Sequence, residues 1–198
     1  RTFGIPEMGI IKSLKNPSSV PLNILQLQWP DGRKRFAFNM VGGALDAAVV
    51  NLLDARGFQR AGLLKYPIAL IFALMKPHTW RATVAVDDKI LDGEWLTIQA
   101  GFGKYCGGGM YVLPHSTEKE AGLLLMKPKS FFKLITSLPK LYNGKISQQH
   151  EAIASSFSKI EIYHFTNPIP IEADGEWLGY SPVTIQSVEG RINILVSS

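Results

Sequence analysis

The sequence predicts a mainly β domain, a two-layer β-sandwich-like fold with two or three peripheral helices. Three observations lead to this class: short apolar segments alternate like strands, turn signals separate them, and few segments show helical spacing. The 198 residues include 18 glycines and 12 prolines, which is typical of a chain with many turns. With 46% hydrophobic residues, the chain can bury one sizeable core.

Charge, cysteine content and hydropathy exclude several classes of protein. The net charge is +5, but Lys and Arg are spread along the chain, so we expect no nucleic-acid partner. The single cysteine, Cys106, excludes an internal disulfide and fits a reducing cytoplasm. The most apolar run, Ile68–Met75, is far shorter than the roughly 20 residues of a membrane-spanning helix.

The first half of the chain is predicted to form two hairpins with two helices between them. Residues 1–20 are interpreted as a lead-in segment that contains a short amphipathic stretch, Thr2–Leu14, and the β-rich domain is expected over residues 21–198. Turn and periodicity signals place strands at Pro21–Trp29, Lys34–Met40, Trp80–Val86 and Glu94–Gly101, and helices from Leu45 to near Gly57 and over Pro67–Lys76.

The second half is predicted to contain a third helix and several strands. Ser130 is a suitable N-cap for a helix over Phe131–Tyr142, which Pro139 should interrupt or kink. Strands are expected at Lys159–Phe165, Val183–Val188 and Arg191–Val196.

Two sequence motifs are candidates for function. Asp-Gly-Glu occurs at residues 92–94 and again at 174–176, and either copy is compatible with a simple tight turn. The second copy is followed by Ser181-Pro182 and a terminal strand. A glycine-rich block spans residues 101–114, but its spacing matches neither a phosphate-binding P-loop nor a dinucleotide fingerprint.

These motifs resemble those of the bacterial diacylglycerol kinase-like lipid kinases, relatives of the sphingosine kinases in the NAD kinase-like superfamily. The resemblance extends from Leu22 to Val196, and the chain departs from the family pattern at Phe102, Ala121 and Ile146. The matching positions include Asp46-Ala47, Gly103, Tyr105, Gly107, Gly108, Gly109, Met110, Pro114, Gly122, Leu123, Asp174, Gly175, Glu176, Gly179 and Pro182.

The resemblance implies the C-terminal domain of an ATP-dependent lipid kinase that phosphorylates a lipid hydroxyl, such as that of diacylglycerol. Glu176 would be the catalytic base, and Asp174 would support it. Substrate-binding candidates are Asn39, Gly107, Gly108 and Gly109. ATP would be bound mainly by an N-terminal nucleotide-binding domain that this sequence does not contain, so we expect the isolated chain to be inactive.

A structural magnesium ion is a further implication of the resemblance. Family members hold it largely through backbone carbonyls, here those near Glu118, Ala121 and Leu123. Because Ala121 replaces the usual aspartate, a carboxylate that a hard cation favours is lost. We therefore predict that magnesium binding at this position is weak or absent.

Partners and location follow from the same resemblance. We expect the protein to bind a lipid substrate and to contact the nucleotide-binding domain. We expect it to be cytoplasmic and able to associate peripherally with the inner face of the membrane. A homodimer is possible. The alternative is a non-catalytic β-sandwich that binds a lipid or a partner. A third option is a sugar-binding module, because Trp95 and Trp177 each adjoin an acidic motif.

Overall fold

The computed structural model of the protein describes residues 17–56, 65–75 and 79–197. Within these ranges the first half forms β1 (Pro17–Gln28), β2 (Lys34–Ala37), β3 (Met40–Ala44), α1 (Leu45–Arg56), α2 (Lys65–Leu74), β4 (Trp80–Val86), β5 (Lys89–Trp95) and β6 (Thr97–Gly101). The second half forms β7 (Tyr105–Cys106), β8 (Met110–Tyr111), β9 (Ala121–Met126), α3 (Phe131–Ser137), β10 (Ala152–Phe157), β11 (Lys159–Tyr163), β12 (Pro170–Ala173), β13 (Glu176–Tyr180) and β14 (Val183–Ser197). Short 3₁₀ turns lie at Gly107–Gly109, Leu138–Leu141 and Lys145–Gln148.

Twelve of these strands form two antiparallel six-stranded sheets. The first sheet has the order β2-β1-β14-β11-β4-β5, and the second has the order β10-β9-β6-β3-β12-β13. Strands β7 and β8 form a separate small hairpin. The chain crosses between the two sheets several times, so each sheet contains strands that are distant in sequence.

A core of buried side chains fills the space between the two sheets. It includes Leu25 and Leu27 from β1 and Leu123 and Leu125 from β9, all at most 1% exposed. In each pair the residues are two positions apart, because alternate side chains of a strand point to the same face. This packing confirms the predicted two-layer sandwich.

The outer face of the second sheet is covered by helices. Alternate residues of its strands, such as Leu124 and Met126, belong to a second apolar cluster together with Leu74 of α2 and Leu134 of α3. Helix α1 also contacts this sheet through β3, β6 and β12. The helices of the described residues therefore lie on one side of the sandwich, as predicted. No helix within these ranges is long and apolar enough to cross a membrane.

Two predicted elements differ from the observed ones. The helix expected over Phe131–Tyr142 ends at Ser137 and continues as a 3₁₀ turn that contains Pro139, because proline has no N–H for the α-helical ladder. The two predicted terminal strands are one strand, β14, with an irregularity where Gly190 has a φ of 61° and donates its N–H to Asn23 Oδ1 at 3.1 Å.

Other differences concern boundaries. Strand β1 begins at Pro17, inside the expected lead-in, and the first Asp-Gly-Glu lies within β5, paired with β4, rather than in a turn. Strands β10, β12 and β13 were not predicted. The amphipathic stretch at Thr2–Leu14 and the helix end near Gly57 lie outside the described residues.

Candidate functional site

The second Asp-Gly-Glu forms a turn that is fixed to the segment before β3. Asp174 and Gly175 connect β12 to β13 with φ values of 50° and 88°. The Asp174 carboxylate accepts hydrogen bonds from the backbone N–H groups of Phe38 at 2.7 Å and of Asn39 and Met40 at 2.9 Å. The Asp174 N–H donates in turn to the Met40 carbonyl at 2.9 Å. These bonds hold the turn in place, and the supporting role of Asp174 in catalysis stays a prediction.

Asn39 connects the same segment to the glycine-rich block. Its side-chain amide donates to the Tyr105 carbonyl at 3.0 Å, and the Gly103 N–H donates to the Asn39 carbonyl at 3.0 Å. A side chain at Gly103 would overlap the Asn39 amide oxygen, so glycine is required for this close approach. The Asp174 turn, Asn39 and the block are therefore one hydrogen-bonded unit.

Glu176 is exposed at the start of β13, one residue after this turn. Its neighbour across the ladder is Ala173. The side chain is open to solvent beside a rigid turn, a position from which it could meet a group held by another domain. Nothing in the geometry contradicts the predicted role of Glu176 as a base, and that role stays a prediction.

A pocket of about 260 Å³ lies between the outer face of the second sheet and the helices. It opens at Asp174 and Gly175, which line it and are exposed. Most of its wall is apolar, and the apolar lining residues are Met40, Leu45, Val49, Val50, Leu70, Leu74, Leu96, Met110, Val112, Leu124, Met126, Leu134, Leu138, Leu141 and Ile146.

The polar part of the wall is a row across the second sheet. Glu172 on β12 is paired with Gly42 on β3, which is paired with Gln99 on β6. Asp46 of α1 lies beside this row and accepts hydrogen bonds from Thr97 Oγ1 and from Gln99 Nε2, the latter at 2.8 Å. A Cβ atom at Gly42 would overlap Glu172 Oε1 and lie 2.8 Å from Asp46 Cβ. Glycine at this position makes room for the two carboxyl groups.

Burial changes the protonation of both carboxyl groups. Burial, together with the nearby charges of Asp46 and Asp174, raises the pKa of Glu172 to about 8, although the hydrogen bond from the Gly175 N–H acts in the opposite direction. Burial also raises the pKa of Asp46 to about 6, opposed by its hydrogen bonds from Thr97 and Gln99. Near neutral pH, Glu172 is therefore mostly protonated and Asp46 is mostly ionised.

The predicted substrate-binding residues divide into two groups. Asn39 and Gly107 line the pocket, whereas Gly108 and Gly109 are not among its lining residues. Gly108 and Gly109 shape the 3₁₀ turn with φ values of 73° and 88°, and Gly107 lies against the Tyr66 ring. Burial raises the pKa of the adjacent Cys106 thiol well above its usual value, so this cysteine stays protonated.

The residues considered for magnesium do not fit a cation site. Ala121 and Leu123 are buried in β9, which is paired on both sides, to β6 and β10, so its backbone carbonyls are occupied by the ladders. Glu118 is exposed in the preceding loop. Within the described ranges, no group of three or more His, Cys, Asp or Glu side chains could hold a metal ion. We derive no chemistry from a metal at this position.

Sequence reasoning missed Glu172, Thr97 and Gln99 as site residues. The available signal was polar residues at strand positions between fully apolar neighbours, as with Glu172 between Ile171 and Ala173, which are 0% and 5% exposed. A polar residue in such a position indicates a buried polar environment.

The fold and the site together define a class: an antiparallel β-sandwich with a helix-covered apolar pocket that opens beside an acidic turn. Residues 39–196 match the family model of the YegS C-terminal NAD kinase beta sandwich-like domain. The chain belongs to this family. A search of curated proteins found no match.

Solved structures share the fold. A diacylglycerol kinase from Bacillus anthracis str. Sterne is 14% identical with a TM-score of 0.65, and 99% of this chain aligns with 61% of that one. Two further proteins of the same strain, provisionally described as diacylglycerol kinases, are 17% and 18% identical, with TM-scores of 0.71 and 0.72. The alignments cover 99% and 98% of this chain and 63% of each of theirs. The chain thus spans less than two thirds of the length of these proteins.

Proposed function

We propose that this chain is the lipid-binding and catalytic-base domain of an ATP-dependent lipid kinase. One observation carries the proposal: an apolar pocket opens at a turn that three backbone hydrogen bonds to Asp174 hold in place. Family membership and the names of the structural neighbours support the same activity. The acceptor would be a lipid hydroxyl, such as that of diacylglycerol.

The pocket suits the apolar part of such a substrate. A wall formed mostly by Leu, Met and Val side chains offers no hydrogen bonds to an acyl chain and gains free energy by excluding water from it. The opening at Asp174 and Gly175 would leave the headgroup near the protein surface. The reacting hydroxyl would then lie on the same side of the domain as Glu176.

Glu176 would act as the base. Phosphoryl transfer to an alcohol depends mainly on positioning, and the hydroxyl proton has to be accepted as the new bond forms. A carboxylate beside a rigid turn can accept that proton at little reorganisation cost. ATP, bound mainly by a further domain, would supply the phosphoryl group.

We further infer that the domain approaches an anionic membrane through α3. Phe132 is 81% exposed and Phe131 is 39% exposed, while Leu134 of the same helix lines the pocket. The sequence between Glu120 and Glu151 contains no acidic residue and five lysines, of which Lys127, Lys133, Lys140 and Lys145 are exposed. Exposed aromatic and basic side chains together favour an anionic lipid surface.

A non-catalytic lipid-binding module is the second candidate, because Glu176 is not among the residues that line the pocket. The sugar-binding alternative loses one of its two tryptophans: Trp95 is 1% exposed and donates its indole N–H to the Ala82 carbonyl, so it cannot stack on a sugar, whereas Trp177 is 42% exposed. Incubation of the full-length protein with labelled ATP and a lipid panel tests the kinase proposal. Binding of a lipid without phosphate transfer would favour the non-catalytic module.

A further inference from the structure

The pocket contains a buried hydrogen-bond acceptor without a partner. Two buried side-chain atoms of the described residues have no hydrogen-bond partner, and only Gln99 Oε1 belongs to a residue that lines the pocket. Gln99 is 5% exposed. Its neighbours in β6, Ile98 and Ala100, belong to the core between the sheets, so the Gln99 side chain lies on the opposite, pocket-facing side.

The orientation of this amide is set by Asp46. The Gln99 NH₂ group donates to Asp46 Oδ1 at 2.8 Å, and the exchanged orientation would place two oxygens against each other. Gln99 Oε1 therefore faces away from Asp46. A buried amide oxygen normally has a hydrogen-bond donor, so a donor from a ligand would complete this site.

The surroundings favour a hydroxyl as that donor. Glu172, Gly42 and Gln99 form one row, and the Glu172 and Asp46 side chains occupy the space above Gly42. A small donor such as a hydroxyl suits this crowded position better than a larger group. The row lies in the same pocket as the apolar lining, so a ligand that donates to Gln99 Oε1 can place an apolar chain on that lining.

The size of the pocket limits how many chains can enter. Its volume of about 260 Å³ is below the roughly 300–1,000 Å³ that is usual for pockets of drug-sized ligands. One acyl chain fits such a volume better than two. Any second chain of the lipid would have to stay outside the described pocket.

We infer that the pocket recognises a single-chain lipid with a polyhydroxyl headgroup, of the monoacylglycerol class, one hydroxyl of which donates a hydrogen bond to Gln99 Oε1. A second hydroxyl of the lipid would lie at the opening near Asp174 and Gly175 and accept the phosphoryl group. This part of the inference rests on the proposed function. Gln99 is then a specificity-determining residue, and Asp46 positions it.

Equilibrium binding to the chain, without ATP, tests the inference. Calorimetric titrations compare 1-decanoylglycerol with methyl decanoate, which has the same chain and no hydroxyl, and with 1,2-didecanoylglycerol. We expect 1-decanoylglycerol to bind about tenfold more tightly than methyl decanoate, the value of roughly one hydrogen bond. We also expect it to bind more tightly than the two-chain lipid. Equal affinities for the first two ligands, or no binding of any of them, would overturn the inference.

Two variants separate the hydrogen bond from general packing. Gln99→Met keeps an unbranched side chain and should bring the affinity for 1-decanoylglycerol down to that for methyl decanoate. Leu124→Met changes the residue paired with Gln99 in the adjacent strand β9, and it should alter both affinities by the same factor. If Gln99→Met still binds 1-decanoylglycerol more tightly than methyl decanoate, the role assigned to Gln99 is wrong. If this variant does not fold, the comparison of the ligands with the wild-type protein still tests the inference.

Kinase activity is read separately. Selective binding of 1-decanoylglycerol without its phosphorylation by the full-length protein would leave the binding site established and refute the kinase proposal. Phosphorylation of lipids without hydroxyl-dependent binding would support the kinase proposal and refute the assignment of Gln99.

Discussion

Asp174 and Met40 are joined by two hydrogen bonds of opposite direction: the Met40 N–H donates to the Asp174 carboxylate, and the Asp174 N–H donates to the Met40 carbonyl, each at 2.9 Å. This pair ties the turn after β12 to the first residue of β3. Because β3 and β12 are also paired through Ile171–Ala173 and Val41–Gly43, the turn is an extension of the ladder. The backbone of the turn at the pocket opening is therefore bonded directly to the sheet.

Replacing Asp174 by alanine should destabilise the protein by about 2–4 kcal/mol, because three backbone donors lose a charged acceptor. Asp174→Asn should cost less, since asparagine tolerates the positive φ and still offers an amide oxygen. Urea unfolding measures these differences.

The matched control is Asp92→Ala, in the other Asp-Gly-Glu. Asp92 accepts from Thr83 Oγ1 at 3.2 Å and forms an exposed ion pair with Arg81 at 3.5 Å, so we expect a loss below about 1 kcal/mol. Similar losses at both positions would show that the backbone hydrogen bonds to Asp174 contribute little to stability.

Gly42→Ala should destabilise the protein by about 1–3 kcal/mol, the usual range for an overpacked site. The added methyl group would overlap Glu172 Oε1 and lie 2.8 Å from Asp46 Cβ, so both carboxyl groups would have to move. Thermal unfolding measures the effect. Gly93→Ala is the comparison, because its Cβ would be 3.6 Å from the nearest atom of Trp95, an ordinary contact. If Gly93→Ala is the more harmful of the two, the row is not as tightly packed as described.

Stability should fall with rising pH because of Glu172. Its pKa is about 8 in the folded protein against 4.5 as the ordinary value, so the folded state holds an extra proton between these limits. Unfolding releases that proton, and the free energy of unfolding therefore decreases as pH rises, by up to about 1.4 kcal/mol per pH unit.

Glu172→Gln removes this titration while its amide oxygen can still accept the Gly175 N–H. Between pH 6 and pH 8, we expect the melting temperature of wild type to fall relative to that of Glu172→Gln. Glu94→Gln, at an exposed position, should follow wild type over the same range. Parallel curves for wild type and Glu172→Gln would mean that Glu172 is already ionised at pH 6.

Glu176→Gln in the full-length protein should reduce lipid kinase turnover by about 10²–10⁴, the usual contribution of general base catalysis. Folding and ATP affinity should hardly change, because glutamine has nearly the same size and the side chain is exposed. Radiolabelled phosphate transfer measures turnover, with Glu94→Gln as the control that keeps near wild-type activity. A fully active Glu176→Gln protein would assign the base to another residue.

Phe132→Ser should weaken binding to vesicles that contain anionic lipid by about tenfold, because an exposed aromatic side chain would no longer enter the lipid interface. Co-sedimentation measures the bound fraction, which should also fall with added salt as the lysine charges are screened. Ile90→Ser is the control: Ile90 is 70% exposed on β5, at the edge of the first sheet. Equal losses from both substitutions would argue against α3 as the contact.

Strand alternation and capping residues in the sequence predicted the strands and helices whose bounds depend mainly on neighbouring residues. The alternation over Trp80–Val86 gives the bounds of β4, and Ser130 occupies the N-cap position of α3, although its side chain makes no capping hydrogen bond. The short strands β12 and β13 were missed because Asp174-Gly175 and the polar residues around them resemble an isolated turn. Their strand character comes from pairing with β3, which local sequence does not reveal.

The candidate site was predicted only where it coincides with a family motif. Asn39, Gly107 and Asp174, which line the pocket, were named through the resemblance, while the row of Glu172, Gly42 and Gln99 was not. These three residues are distant in the chain and become neighbours through the order of β12, β3 and β6. Period-two alternation states which face of a strand a residue occupies, but not which strand lies beside it.

The position of β14 has a consequence for biosynthesis. In the first sheet β14 lies between β1 and β11, so without it the sheet is divided into β2-β1 and β11-β4-β5. A ribosome reaches Val183 about 150 residues after completing β1 at Gln28, which takes roughly 8–30 s at common elongation rates. During this interval the edge of β1 that later pairs with β14 presents unpaired backbone N–H and C=O groups, and such an edge can pair with another chain.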